Sequence, residues 1–240
     1  MNPQAKEHYT NLLADVYSWM SGDISQKSEE AKQYLLSAGI PEGKGRSAID
    51  LGAGYGIHAK ALVELGYDVT AVDFSDKLLD ELKHNVPAAV VVNADITEYE
   101  FTYKPDIVLC MGDTLTHLDS TETAGKLIRK IAAALPEGGM FFSSWRELSA
   151  ELQGESRFIP VKSDNSRILT CFLEYTSEEY VTVHDLLYRN VSGKWEFSSG
   201  SYNKLRLASS MASDMLKYSG FEIFSAVCKK GMEHFACKKI

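Results

Sequence analysis

Ala48-Ile49-Asp50-Leu51-Gly52-Ala53-Gly54-Tyr55-Gly56 runs from an apolar segment into a glycine-rich turn, and Asp73 closes the next apolar run, Asp68-Val69-Thr70-Ala71-Val72-Asp73. A strand that feeds a glycine turn and then a helix lets backbone approach a ligand closely, and an acidic residue ending the second strand sits where a ribose is held by its hydroxyls. The two segments together predict a site for a nucleoside-bearing cofactor. Asp50 decides which one. In a dinucleotide site the turn and the helix N-terminus receive a pyrophosphate, and a carboxylate just ahead of the first glycine would face two more negative charges. A ligand carrying an ammonium and a sulfonium is attracted to it instead, directly or through a water. S-adenosylmethionine is such a ligand.

Outward from this stretch, residues 44–145 alternate short apolar runs with amphipathic segments. The pattern predicts strands at 47–51, 67–72, 88–93, 105–111 and 138–145, with helices at 56–65, 76–84 and 121–134. Leu65-Gly66-Tyr67 reads as a helix stop and Ser75 as a helix cap. This alternation specifies parallel strands joined by right-handed crossovers, with ligands at the carboxyl ends of the strands. Residues 5–39 carry helical patterning, with Leu12, Leu13, Val16, Tyr17 and Met20 near one face and a second helix from about Ser25 to Ala38. From residue 157 the period changes to that of strands, expected at Arg157–Lys162, Arg167–Tyr175, Glu179–Tyr188, Lys194–Ser198 and Ser201–Leu207. After a helix at 208–219, Phe221–Cys228 and Met232–Lys238 are joined by Lys229-Lys230-Gly231, too short for a crossover, so the last strand runs antiparallel. One domain is expected: a helical lid at 1–43, a cofactor-binding core at 44–146, an inserted antiparallel cap sheet at 155–207, and a closing helix and hairpin at 208–240.

Composition narrows the function. A chain of 240 residues, 45% of them hydrophobic, can bury one substantial core. Its net charge of −8 speaks against binding a nucleic-acid backbone. No apolar run approaches the ~20 residues that span a bilayer, and no basic-then-apolar leader is visible, so a cytoplasmic protein without a membrane partner is expected. Cys110, Cys171, Cys228 and Cys237 lack metal-ligand spacing and read as reduced core residues; no metal is expected.

At this level of detail the chain resembles the class I S-adenosylmethionine-dependent methyltransferases, whose first motif, Asp/Glu-x-Gly-x-Gly-x-Gly, is matched by Asp50 to Gly56. Asp73, Asn93-Ala94-Asp95-Ile96, Asp106-Ile107-Val108-Leu109-Cys110-Met111-Gly112 and Leu135-Pro136-Glu137-Gly138-Gly139-Met140 fall in the family's order. The pattern is most similar to small-molecule members of the glycine and amino-sugar N-methyltransferase type. The Asn/Asp-Pro-Pro-Tyr signature of enzymes acting on planar amino groups is missing after the fourth strand.

The resemblance implies a Rossmann-like α/β fold: a seven-stranded, mostly parallel sheet with an antiparallel last strand and helices on both faces. It also implies roles for residues. Gly52, Ala53, Gly54 and Gly56 bring backbone against the methionine part of the cofactor, and Asp50 orients that end. Asp73 accepts from the ribose hydroxyls, Phe74 covers the adenine, and Asp95 with the Ile96 backbone receives the adenine amine. Met111, Gly112 and His117 form the floor, His117 contacting the cofactor carboxylate or taking a proton from the acceptor. Tyr17 closes over the site from the lid. Trp145, Arg146, Tyr202 and Arg206 are candidates for the acceptor pocket, the two arginines if the acceptor carries a carboxylate or phosphate.

The expected reaction is in-line displacement of the sulfonium methyl by N or O of a small molecule, most of the rate coming from alignment. The acidic surface and aromatic-rich lid and cap favour a small cationic or amphipathic acceptor. The chain is expected to act as a monomer or homodimer. Two other readings share these motifs: a protein that binds S-adenosylmethionine or S-adenosylhomocysteine without turnover, and an NAD(P)-dependent oxidoreductase. The second is opposed by Asp50 and by the closing hairpin.

Overall fold

The computed structural model describes residues 2–240. Four short apolar runs pair in parallel as β1 (Ser47–Leu51), β2 (Asp68–Asp73), β3 (Val90–Asn93) and β4 (Ile107–Cys110), followed by β5 (Met140–Arg146). Helices α4 (Ile57–Glu64), α5 (Asp76–Asn85) and α6 (Thr121–Ala134) are the crossovers. Ser75 caps α5 through a hydrogen bond from the Leu78 amide, as its position predicts. After α7 (Ser209–Tyr218), β10 (Phe221–Lys229) and β11 (Met232–Lys239) form the antiparallel hairpin, and β11 inserts beside β5. The strand order is β10-β11-β5-β4-β1-β2-β3. The chain therefore reverses direction across the sheet between β1 and β4, and the crevice at their carboxyl ends is where such sheets bind ligands.

Both faces of the sheet are covered, which is why β4 reads as an unbroken apolar run and β1 as one interrupted only by Asp50 and its leading Ser47. Ile49, Leu51, Val108 and Phe141 pack with α6 and α7, while Ala48, Leu109 and Phe142 pack with Leu62 of α4 and Leu79 of α5. Cys110 and Cys237 belong to these layers; Cys171 is half-buried and Cys228 is exposed, contrary to the core placement expected of it, because β10 is the sheet's edge and its outer half lacks cover.

The lid is more broken than its periodicity suggests. A helix α1 (Pro3–Asn11) gives way to a tight turn at Leu13–Asp15, then α2 (Tyr17–Ser21) and α3 (Ile24–Ser37). The inserted cap is a separate antiparallel sheet in the order β6 (Phe158–Ser163), β7 (Arg167–Tyr175), β8 (Tyr180–Val191), β9 (Lys194–Leu205). The strands expected at Lys194–Ser198 and Ser201–Leu207 are one, since Gly200 does not break the ladder but pairs in register with Asp185. Gly200 is required by a close approach: a Cβ there would stand 2.4 Å from Nδ1 of His8 on α1. Leu169, Leu173, Val181, Val183 and Leu187 of the cap bury Ala5, Leu12, Leu13 and Val16 of the lid. Among the described residues no helix is long and apolar enough to cross a membrane.

Candidate functional site

The cradle is built by the first two strand ends. Gly52 and Ala53 both donate their amides to the Val72 carbonyl at 2.8 and 3.0 Å, which locks the loop after β1 onto the end of β2. The Gly54 amide donates to Asp73 Oδ2 at 2.8 Å and the Ser75 amide to Oδ1 at 2.9 Å, so the Asp73 carboxylate is fixed at the mouth with lone pairs to spare. Gly52 lies at φ 75°, and a Cβ on it would meet Thr114 at 2.5 Å. A cavity of about 110 Å³ is lined by Gly52, Ala53, Gly54, Asp73, Phe74, Met111, Gly112 and His117, with Tyr9 and Tyr17 above. Gly56 is not in it. At φ 105° it caps α4, and its bare face admits Val86 and Leu82 from the α5 side, so its role is packing of that helix.

Asp50 is buried, and neither carboxylate oxygen has a hydrogen-bond partner. Burial, reinforced by Asp73 and only partly opposed by the Ala59 amide, pushes its carboxyl up to about 7. An orphaned carboxylate behind the glycine loop fits a cofactor whose nearby end is cationic, and it would oppose a pyrophosphate. Asp95 does not reach the cavity. Lys6 of α1 pairs with it at 2.6 Å and the Thr97 amide donates to it at 2.9 Å, while Ile96 packs into the apolar core. The lid crossing the strand ends thus puts a cation where an adenine amine was expected.

The floor and lid meet through aromatic rings. Tyr9 stacks obliquely on Tyr17 at 5.8 Å, edges onto Phe74 at 5.8 Å and onto His117 at 5.6 Å, and its hydroxyl lies 3.3 Å from His117 Nε2. His117 Nδ1 has no partner. Burial, then Lys204, lowers the His117 pKa to about 4, so the imidazole is neutral at physiological pH. Next to it, Asp113 adopts φ 77°, rare for a residue with a Cβ. It accepts from the Arg146 amide at 2.6 Å, Arg146 Nη1 at 3.1 Å and the buried Lys204 Nζ at 2.9 Å. Burial raises its pKa, but Lys204 and Arg146 outweigh that and hold it at about 2.

Tyr202 does not line the cradle's cavity; its ring lies 5.2 Å from His117 and stacks on His8 at 5.1 Å. Trp145 and Arg206 do not line it either. Trp145 is fully buried, stacks on Phe235 at 5.1 Å and donates to the Leu207 carbonyl at 2.9 Å; alternation along β5 turns it into the core. Arg206 staples the cap to the segment after β5, bonding the Leu148 and Ser149 carbonyls and pairing with Glu151 at 3.1 Å. Arg146 instead lines a second cavity of about 1190 Å³, which shares Ile57, His58, Met111 and Gly112 with the first. That cavity lies between α3 and β11, away from the cap, because the cap's inner face is filled by lid side chains.

Reading the sequence alone missed His58 and Lys204. Only Lys204 had a usable signal: it shares the inward, period-2 face of β9 with Tyr202.

Residues 48–139 match the family model described as a methyltransferase domain. The ubiquinone biosynthesis O-methyltransferase of Coxiella burnetii is 32% identical over 106 residues, 42% of this chain and 44% of that protein, so the chain spans less than half of this relative's length. Among solved structures, the CcbJ methyltransferase of Streptomyces caelestis superposes with a TM-score of 0.79 at 18% identity, covering 96% of this chain and 97% of that one. S-adenosylmethionine-bound CalS10, an amino pentose methyltransferase of Micromonospora echinaspora, gives 0.76 at 13% identity over 97% and 98%. At such identities these two likenesses speak to fold.

Proposed function

We propose that this chain, which belongs to the class I S-adenosylmethionine-dependent methyltransferases, transfers a methyl group to nitrogen or oxygen of a small molecule. The observation that carries this reading is the pairing of a backbone cradle with two carboxylates of different kinds. Asp73 is held open by the Gly54 and Ser75 amides, suited to accept from a pair of hydroxyls. Asp50 is buried without a partner, suited to a cation.

When bound, S-adenosylmethionine supplies a methyl group already activated by its sulfonium. The chain has to bind, orient and exclude water. Phe74, Tyr9 and Tyr17 surround the cavity with aromatic surface and leave it little room, which favours a closed, dry site. Neutral His117 offers Nδ1 as a proton acceptor at the floor, while Tyr9 fixes the ring through Nε2. A relative named as an O-methyltransferase and a neighbour named as an amino pentose methyltransferase support a small acceptor. The acidic charge supports it too.

The test begins with thermal unfolding in the presence of S-adenosylmethionine, S-adenosylhomocysteine or NADH. At about 100 times Kd a selective ligand adds roughly 2.7 kcal/mol. Stabilisation by the two S-adenosyl ligands alone, followed by transfer of labelled methyl to a member of an amine and phenol panel, is the expected result. Stabilisation by NADH alone, or no acceptor labelled by any panel member, would overturn the proposal.

A further inference from the structure

The larger cavity has a charge that the whole chain does not. The protein carries −8, yet this groove is lined by Lys27, Arg146, Lys229 and Lys230 against Glu29 and Glu30. Both carboxylates are engaged on the helical wall: Glu30 with Lys27 at 2.7 Å, Glu29 with Lys32 at 3.0 Å. Lys230 acts on Glu30 only at longer range, and neither Lys229 nor Lys230 forms an ion pair among the described residues. Arg146 spends one nitrogen on Asp113 while its side chain stays 59% exposed, which leaves guanidinium donors facing the groove.

The sheet register shows that this is an arranged row. Lys229 pairs with Met232 across the hairpin, and Met232 pairs with Arg146 on β5. Directly paired residues point to the same face, so Lys229, Met232 and Arg146 stand side by side across three strands at the carboxyl end of β5. One row down, Ser144 pairs with His234, and both also line the groove. His234 packs its ring on Tyr34 of α3 at 4.7 Å and keeps a buried Nδ1 without a partner. The groove thus has a cationic rim, an apolar stripe of Met232 and Tyr34, an unspent polar atom, and an inner end at Ile57, His58, Met111 and Gly112, the residues it shares with the cofactor cavity.

We propose that the methyl acceptor enters through this groove between α3 and the β10–β11 hairpin, and that it is an anionic molecule whose carboxylate or phosphate is held by Arg146, Lys229 and Lys230. The proposal rests on the methyl-transfer reading for the word acceptor, but the binding it asserts is measurable without turnover. It departs from the cationic acceptor that composition favours, because the local charge of a groove, rather than the net charge of the chain, sets the field a ligand meets.

The experiment titrates the full chain, loaded with S-adenosylhomocysteine, with 6-aminohexanoate, 6-aminohexyl phosphate and neutral-ended 6-aminohexan-1-ol by calorimetry. The same titrations are run on the Lys229→Gln/Lys230→Gln double variant, whose changes lie at the hairpin tip, outside the cofactor cavity. The expected result is that at least one anionic ligand binds about tenfold or more tighter than the alcohol. The double variant should erase that preference while S-adenosylhomocysteine binds as before, and raised salt should weaken it in the wild-type chain. Preference for one of the two acids tells carboxylate from phosphate. Equal binding of all three, binding of none, or a preference that survives the double substitution would overturn the proposal. A wild-type chain that shows the preference yet labels no acceptor would leave the groove's ligand class standing and sink the methyl-transfer reading instead.

Discussion

The glycine cradle and the lid–cap contact are built on opposite plans. In the cradle the bonds join the ends of two consecutive strands: Gly54 to Asp73, 19 residues on, Ser75 to Asp73, and Gly52 and Ala53 to Val72. Where lid, cap and the loop after β4 meet, the bonds are remote: the buried His8 to Asp185 at 2.7 Å and Lys204 to Asp113 at 2.9 Å, and the exposed Trp19 to Asp164 at 2.6 Å. The first region lies within and just after one β–α–β unit, β1, α4 and β2. The second exists only once the cap sheet, the lid and the loop after β4 have met, and it buries charge to do so. The comparison teaches that this molecule builds its glycine cradle within one β–α–β unit and joins its lid and cap through pairs between distant segments, two of them buried.

The comparison is tested hardest at Lys204. Lys204→Met leaves the buried Asp113 carboxylate with Arg146 as its remaining cation among the described residues. Unfolding in urea should show a loss of about 3 kcal/mol or more. An unchanged midpoint would mean that the buried pair does not join cap to core.

Asp50 tests the cradle. Its folded pKa, about 7, lies above the ordinary carboxylate value of roughly 3.9. Between those values the folded state holds the extra proton, so Asp50 lowers stability as pH rises from about 4 to about 7, with the full penalty present above that. Asp50→Asn should therefore stabilise the ligand-free chain at pH 8, by about 2 kcal/mol, with little effect at pH 4. It should also weaken S-adenosylmethionine binding about tenfold or more. Equal stabilisation at both pH values would show that ionisation is not the cause.

A smaller effect is expected at Gly200. Gly200→Ala puts a methyl against the His8 ring, which Asp185 holds in place, so α1 must shift. A cost of about 1–2 kcal/mol in thermal unfolding is expected, with weaker cofactor binding because α1 carries Tyr9. Retained affinity would separate the latch from the cavity. The smallest change is Trp145→Phe, which leaves the Leu207 carbonyl without its donor. About 1 kcal/mol of stability should be lost while KM for the acceptor stays the same; a raised KM would return Trp145 to the acceptor site.

Much of the fold is legible in the sequence. The strand runs, the crossovers and the antiparallel ending follow from periodicity and from a hairpin loop too short to cross over. Ser75 and Asp73 were legible because capping and strand-end geometry depend on neighbours a few residues away. Gly56 was over-read: the motif does not tell which glycine faces a ligand and which faces a helix, and Leu82 and Val86 decide that. Trp145 and Arg206 were misplaced for a related reason. Position beyond a strand end suggests a pocket, but the direction a side chain takes depends on what packs against it.

What the sequence by itself determined is the doubly wound sheet, the glycine loop and the two carboxylates that flank it, since each rests on spacing along the chain. Only the tertiary structure decided that Lys6 lies against Asp95, that Lys204 reaches Asp113, and that the large groove opens beside the hairpin lysines instead of beneath the cap. The physical reason is range. Backbone hydrogen bonds and apolar periodicity act over a few residues and are written in local order, whereas buried ion pairs and cavities arise where distant segments happen to pack, and no spacing rule encodes them.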